Sequence, residues 1–129
     1  MRTITSHVVN PVNDKLTITV VDTPGAGGAN HLYVVGGADW PSNPSMSLTT
    51  PPGLPIAFQN GPIAENGVNG ITQEVLLAIV ADRLDSFQNG PFACHENEVA
   101  LEKVHEAMEA LHSRTRLRMT RGVEGKTIA

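Results

Sequence analysis

FQNGPFACHENEVALEKVHEAMEALHSRTRLRMTRGVEG, residues 87–125, is the stretch whose reading decides the fold. After a Gly-Pro turn, the run from 97 to 121 carries Leu101, Val104, Met108, Leu111 and Thr115 at spacings of three and four. That spacing puts them on one face of a long helix. Such a face has to be covered. The preceding run offers the cover, because Leu76, Ile79, Val80, Arg83 and Phe87 follow the same spacing, and a short turn folds two helices back antiparallel. Residues 71–129 are therefore predicted to form a helical hairpin, with Thr72 as the N-cap of its first helix.

The far end of the second helix concentrates positive charge. Arg114, Arg116, Arg118, Arg121 and Lys126 are five of the nine basic residues, facing only Glu124 in the last sixteen positions, a local balance of +4. The other 113 positions hold four cations and twelve acids, a balance of −8. Basic residues in a last turn suit the helix macrodipole, with Gly122 as the left-handed residue just past the end. The macrodipole does not account for Arg114 and Arg118, which lie one turn apart where like charges repel and have no acid four residues back. Their partner is expected outside the helix. Two readings are open: a site for a small anion on an exposed helix end, or a solvated or inter-chain ionic face.

Length and composition bound the rest. At 129 residues and 40 % hydrophobic the chain is expected to form a single domain with a modest core, aliphatic because aromatics make up 4 %. No apolar run has the length of a membrane span, and MRTITSHVVN lacks the apolar core of a signal peptide, so a protein retained inside a cell and without membrane contact is expected. The single Cys94 forms no internal disulfide and reads as a small residue at a turn, since a nucleophile needs a base held beside it. A net charge of −4 is the wrong sign for a DNA-binding domain.

Upstream of the hairpin the pattern is β-rich over residues 1–70. A polar start precedes KLTITVVD (15–22), which alternates apolar and β-branched residues and reads as a strand. HLYVVGGA (31–38) is a second, joined through TPGAGGAN too shortly for a crossover helix, hence antiparallel. Residues 39–55 (DWPSNPSMSLTTPPGLP) read as a long Pro/Ser-rich loop around Trp40, and LPIAFQNG (54–61) as a third strand followed by a glycine-punctuated connection. The fold class expected is α+β: a small antiparallel β-sheet followed by a C-terminal antiparallel α-helical hairpin. FQNGPIA at 58–64 and FQNGPFA at 87–93 are one turn sequence used twice. Phe58 reads as core, and Phe87, at the hairpin turn, is either core or a ring free to stack on a planar ligand.

Catalytic constellations are not found. His105 and His112 are seven apart and HEAMEALH is not the spacing that places two imidazoles on one zinc; GAGG at 25–28 lacks the strand-to-helix context of a phosphate loop. No metal, no cofactor and no enzymatic activity are expected.

From about residue 10 to 125 the chain resembles the phage-encoded Thoeris anti-defence 1 family of nucleotide sponges, whose helical hairpin is shared by an anti-CBASS sponge family. Four ordered motifs carry the resemblance: FQNGPIAENGVNG (58–70), LLAIVADRL (76–84), FQNGPFACHEN (87–97), and the terminal R-T-R-x-R-x-x-R-G-V-E-G. The resemblance implies a non-enzymatic protein of the host bacterial cytoplasm that binds cyclic ADP-ribose isomers made by TIR proteins, and cyclic di- or trinucleotides in several members. It holds the messenger without degrading it. It also implies a homodimer assembling to a higher oligomer, a hexamer. Matched residue by residue, the family's stacking phenylalanine falls on Phe87, its base- or ribose-contacting asparagine on Asn97, and its phosphate-binding arginines on Arg114 and Arg118. Guanidinium forks suit a pyrophosphate. Many relatives carry arginine where this chain has His95, so a second pocket for cyclic trinucleotides would here have a histidine in that arginine's place. The alternative is a structural oligomerisation protein whose arginines make inter-chain salt bridges and bind no ligand.

Overall fold

The computed structural model describes residues 1–10, 15–46, 53–120 and 122. Part of the Pro/Ser-rich loop (47–52), and Arg121, Glu124 and Lys126 of the basic end, lie outside the described residues. The chain divides into two compact units, Met1–Asn60 and Gly61–Ala129.

The first unit is a four-stranded antiparallel meander in the order β1 (Arg2–Ile4), β2 (Thr17–Val20), β3 (Leu32–Gly36) and β4 (Leu54–Ala57). It has one more strand than the alternation pattern predicts. The stretch read as a polar start is β1, paired with β2 through Arg2↔Val20 and Ile4↔Ile18. The β2–β3 hairpin forms as expected, with Ile18 opposite Val35 and Val20 opposite Tyr33, and β4 continues the row by setting Ile56 against Tyr33. Side chains alternate along a strand, so Ile4, Ile18, Val20, Tyr33, Val35 and Ile56 share one face. Val20, only 1 % exposed, is its centre. Phe58 closes the row with its ring edge-on to Tyr33 at 5.7 Å and its backbone N–H bonded to the His31 carbonyl at 2.8 Å. The loop after β3 is not wholly irregular: Trp40–Ser42 forms a 3-10 turn that ends with the Asn43 N–H on the Trp40 carbonyl.

The connection between β2 and β3 is held by polar contacts. Asp22 Oδ2 accepts the backbone N–H of His31 at 2.9 Å, and Asn30 links the Asp22 carbonyl (2.7 Å) to Arg2 (3.0 Å). His31 is buried, and a β-carbon on Gly25 would sit 3.3 Å from its ring, so the loop passes closer to the imidazole than most side chains permit.

The second unit opens with a one-turn helix, α1 (Ile63–Asn66), in the stretch read as a glycine-punctuated connection. Then come α2 (Gln73–Gln88) and α3 (His95–Thr120), the predicted hairpin. Thr72 caps α2 as expected, its hydroxyl accepting the Val75 N–H at 3.3 Å. Gly122 follows α3 at φ +71° with its N–H on the Met119 carbonyl, the left-handed terminator expected there. At 1.5 Å per residue α2 is about 24 Å long and α3 about 39 Å, so α3 runs on for about 15 Å past the length of its neighbour.

The seam between α2 and α3 matches expectation on one helix and departs from it on the other. On α3 the covered residues are Leu101, Val104, Met108, Leu111 and Thr115, as their spacing predicts, and the same four-three alternation continues to half-buried Asn97 at one end and buried Arg118 at the other. On α2 the covered stripe is Glu74, Leu77, Ala81, Leu84 and Gln88 rather than the predicted Leu76, Ile79, Val80, Arg83 and Phe87. Of the predicted stripe only Leu76 and Phe87 are half-buried; Ile79 is 62 % and Val80 44 % exposed. Ala81 explains the choice, since its small side chain lets a helix approach closely where Ile79 or Val80 would hold it off.

Candidate functional site

The turn of the hairpin is tightly specified. Asn89 ends α2, its backbone N–H and side-chain amide both on the Asp85 carbonyl (3.1 and 3.0 Å), and Gly90 follows with its N–H on the Phe87 carbonyl. Gln88 reaches forward so that its Oε1 accepts the Cys94 N–H at 3.0 Å. Cys94 in turn caps α3, its Sγ accepting the Asn97 N–H at 3.4 Å. The small turn residue thus has a local structural task. Glu96 and Glu98 in the first turn of α3 complement its dipole.

This arrangement brings three rings and groups together. Phe87 is half-buried; Phe92 meets it edge-on at 6.3 Å and 80°, and the guanidinium carbon of Arg83 lies 4.9 Å over its ring. Asn97 stands half-buried one turn into α3, and His95, the first residue of α3, is exposed. Neither Arg83 nor Phe92 stood out in the sequence: Arg83 counted as part of an apolar stripe, and Phe92 was one letter of a repeated turn motif. The difference between the two copies is the usable signal, since FQNGPIA has Ile63 where FQNGPFA has Phe92. Phe92 is 72 % exposed.

The arginines lie elsewhere. Arg114 and Arg118 are one turn apart on α3, as the spacing requires, but their surroundings differ. Arg114 is exposed and, among the described residues, makes no ion pair or hydrogen bond. Arg118 is not on an exposed helix end: it is only 9 % exposed and takes part in polar interactions. Continuing the seam spacing from Thr115 predicts that burial, which its charge disguised. Arg116 is paired with Glu109 on the solvent side of the same helix. From Asn97 to Arg114 is seventeen residues of continuous helix, about 25 Å. Within one chain the structure therefore brings Phe87, His95 and Asn97 to one end of the hairpin and leaves Arg114 and Arg118 at the other.

Chemically, the turn end offers an aromatic platform and a carboxamide in a mainly acidic setting (Asp82, Asp85, Glu96, Glu98), suited to a planar base more than to its phosphates. The arginine end offers the guanidinium of Arg114, which makes no ion pair or hydrogen bond among the described residues, to an anion. Among the described residues no group of three or more His, Cys, Asp or Glu could hold a metal ion, and no helix is long and apolar enough to cross a membrane.

A four-stranded antiparallel meander followed by a long helical hairpin defines an α+β protein with a C-terminal hairpin domain. Residues 53–116 match the family described as Acb2/Tad1, hairpin domain, and the chain belongs to that family. A relative named Thoeris anti-defense 1, from Bacillus phage SBSphiJ7, is 49 % identical over 70 residues, which are 54 % of this chain and 49 % of the relative. The chain thus spans about half the length of that curated relative. Phe87, His95, Asn97 and Arg114 fall inside the family match, and Arg118 lies two residues beyond its end.

Proposed function

We propose that the protein is an anti-defence sponge: inside the host bacterium it binds and sequesters cyclic nucleotide immune messengers without degrading them, and so blocks Thoeris immunity. Cyclic ADP-ribose isomers are the primary ligands, and cyclic di- or trinucleotides, the messengers of CBASS, a second class. The observation that carries this reading is the hairpin domain itself, in which the family match encloses an aromatic platform, a carboxamide and an exposed arginine. The base stacks on Phe87, Asn97 bonds the base or ribose, and Arg114 with Arg118 meets the phosphates.

The length of α3 adds a requirement. A nucleotide-sized ligand cannot bridge about 25 Å of helix, so a pocket using both sets of residues takes Phe87 and Asn97 from one chain and the arginines from another, as an antiparallel pair of hairpins would present them. The exposed apolar residues Ile79 and Val80 on α2 and Leu117 and Met119 on α3 fit such an assembly, a homodimer that builds a higher oligomer.

Incubation with a cyclic ADP-ribose isomer, removal of free ligand, heat denaturation and chromatography of the supernatant test the reading. A sponge depletes the free ligand and releases it intact. Released product would show an enzyme, and undepleted ligand a structural oligomerisation protein whose arginines serve inter-chain contacts.

A further inference from the structure

We propose that Arg83 is a positioning residue for the ligand site: its guanidinium covers one face of Phe87, Phe92 packs against the same ring in a T-shaped pair, and a nucleotide base is left the face that Arg83 does not cover. The inference rests on the reading of Phe87 as the stacking residue.

Arg83 lies one helical turn before Phe87 on α2, so the helix itself places the side chain against the ring. The guanidinium carbon is 4.9 Å from the ring centroid. Among the described residues Arg83 makes no ion pair, although Asp82 and Asp85 flank it on α2 and Glu96 and Glu98 begin α3. Asp82 and Asp85 stand one before and two after Arg83 on the helix, positions that do not face it, and the ring of Phe87 is the partner its guanidinium meets. The planar guanidinium stacks where a lysine ammonium would offer only a point charge. Phe92 adds a second constraint, its ring 6.3 Å from that of Phe87 with the two planes 80° apart. Without these contacts the half-buried ring of Phe87, in the last turn of α2, would be freer to change its orientation.

Ring orientation decides the direction in which a bound nucleotide points. A base stacked on either face of an open platform would project its phosphates two ways, and only one leads toward the arginines of a second chain. Covering one face removes the unproductive pose and lowers the ordering cost of binding.

Four proteins test this: Arg83→Ala, Arg83→Lys, Phe87→Leu and Arg83→Ala/Phe87→Leu, each measured by calorimetry against a cyclic ADP-ribose isomer, alongside 19F NMR of protein carrying 4-fluorophenylalanine. The Phe87 resonance is assigned by its loss in Phe87→Leu. Without ligand, Arg83→Ala should shift and broaden it while Tm and oligomeric state stay unchanged, since Arg83 is exposed. Affinity should fall about twofold to fivefold in the wild-type background, as removal of an exposed cation–ring contact implies, and by nothing further in Phe87→Leu. Arg83→Lys should restore part of the loss. An equal loss in both backgrounds would overturn the proposal by showing that Arg83 contacts the ligand independently of the ring, and an unmoved resonance would overturn it whether or not any messenger binds. If the wild-type protein bound no messenger, the sponge reading would fall, and the ligand-free resonance would still decide whether Arg83 orders Phe87.

Discussion

Arg114 and Arg118, one turn apart, should respond oppositely to the same substitution. Arg114 is exposed and without an ion pair among the described residues, and alanine is at least as good a helix former, so Arg114→Ala should leave stability within about 0.5 kcal/mol. A charge-assisted contact to phosphate is worth about 1.5–3 kcal/mol, so affinity for a cyclic ADP-ribose isomer should fall about tenfold to 150-fold. Arg118 is 9 % exposed and engaged in polar interactions. Truncating it strips a buried aliphatic stem and removes the interaction its guanidinium makes, a loss of about 1–3 kcal/mol before any ligand is added. In units of 60 and 69 residues that is a Tm fall of several degrees. The double variant cannot separate binding from fold, and the single variants can. Differential scanning calorimetry, titration calorimetry and light scattering on each suffice. Unchanged affinity in Arg114→Ala would refute the placement of the phosphate site, and dissociation of the ligand-free Arg114→Ala oligomer would assign that side chain to inter-chain ionic contacts. An unchanged Tm in Arg118→Ala would refute its structural role.

Phe87→Leu keeps most of the apolar volume and removes the stacking face, so binding should weaken by about 0.5–1.5 kcal/mol with little change in Tm; a large stability loss at constant affinity would make Phe87 a core residue. Asp22 gives a pH dependence: the backbone N–H of His31, with help from Leu32 and Asn30, outweighs burial and holds its carboxyl below the ordinary 3.8. A depressed carboxyl contributes stability that is fully present above its unfolded value and lost as pH falls through the lower folded one. Denaturant titrations from pH 6 down to 2 should therefore show an acid limb beginning below about pH 4, flattened in Asp22→Asn; identical limbs would exclude Asp22 as its source. Ile79→Lys places a charge on the exposed apolar stripe of α2 and should shift the protein toward smaller species in light scattering, whereas a wild-type chain that runs as a 13.7 kDa monomer and still binds ligand would remove the two-chain pocket.

How far the fold could be read in advance depends on how much each element owes to its own residues. The face of α3 was legible because apolar and polar residues segregate cleanly around that helix. α2 is apolar around most of its circumference, so Leu76, Ile79 and Val80 looked as good a contact stripe as Leu77, Ala81 and Leu84, and the true seam ends in polar Glu74 and Gln88. Packing against α3 made the choice, and no local pattern encodes it. β1 is three residues long and exists through pairing with residues about sixteen positions away, a non-local contact that RTI alone does not announce. The two Asn-Gly-Pro turns differ in the same way, with Gly61 at φ +90° and Gly90 outside the left-handed region. At the candidate site, Asn97 and Arg118 were hidden by their polarity: extending the four-three alternation in both directions from Leu101 and Thr115 reaches them, and both are covered.

That continuation ties the proposed site to the packing. The stripe by which α3 meets its surroundings begins at Asn97 and ends at Arg118, so the proposed ligand residues are the polar ends of a structural seam rather than additions to a free surface. On the sponge reading the two ends are too far apart to act on one messenger within a chain, and each pocket joins the turn end of one hairpin to the arginine end of another. Binding and assembly then form one equilibrium: a ligand that bridges two chains stabilises their association by RT ln(1 + [L]/Kd), and diluting the protein weakens apparent affinity by the same free energy. On the same reading, the exposed apolar residues of α2 hold the chains together before ligand arrives and so remove this cost in advance. A protein that must capture a signalling nucleotide at low concentration gains from a pocket that is already assembled, because none of its binding free energy is then spent on bringing the chains together.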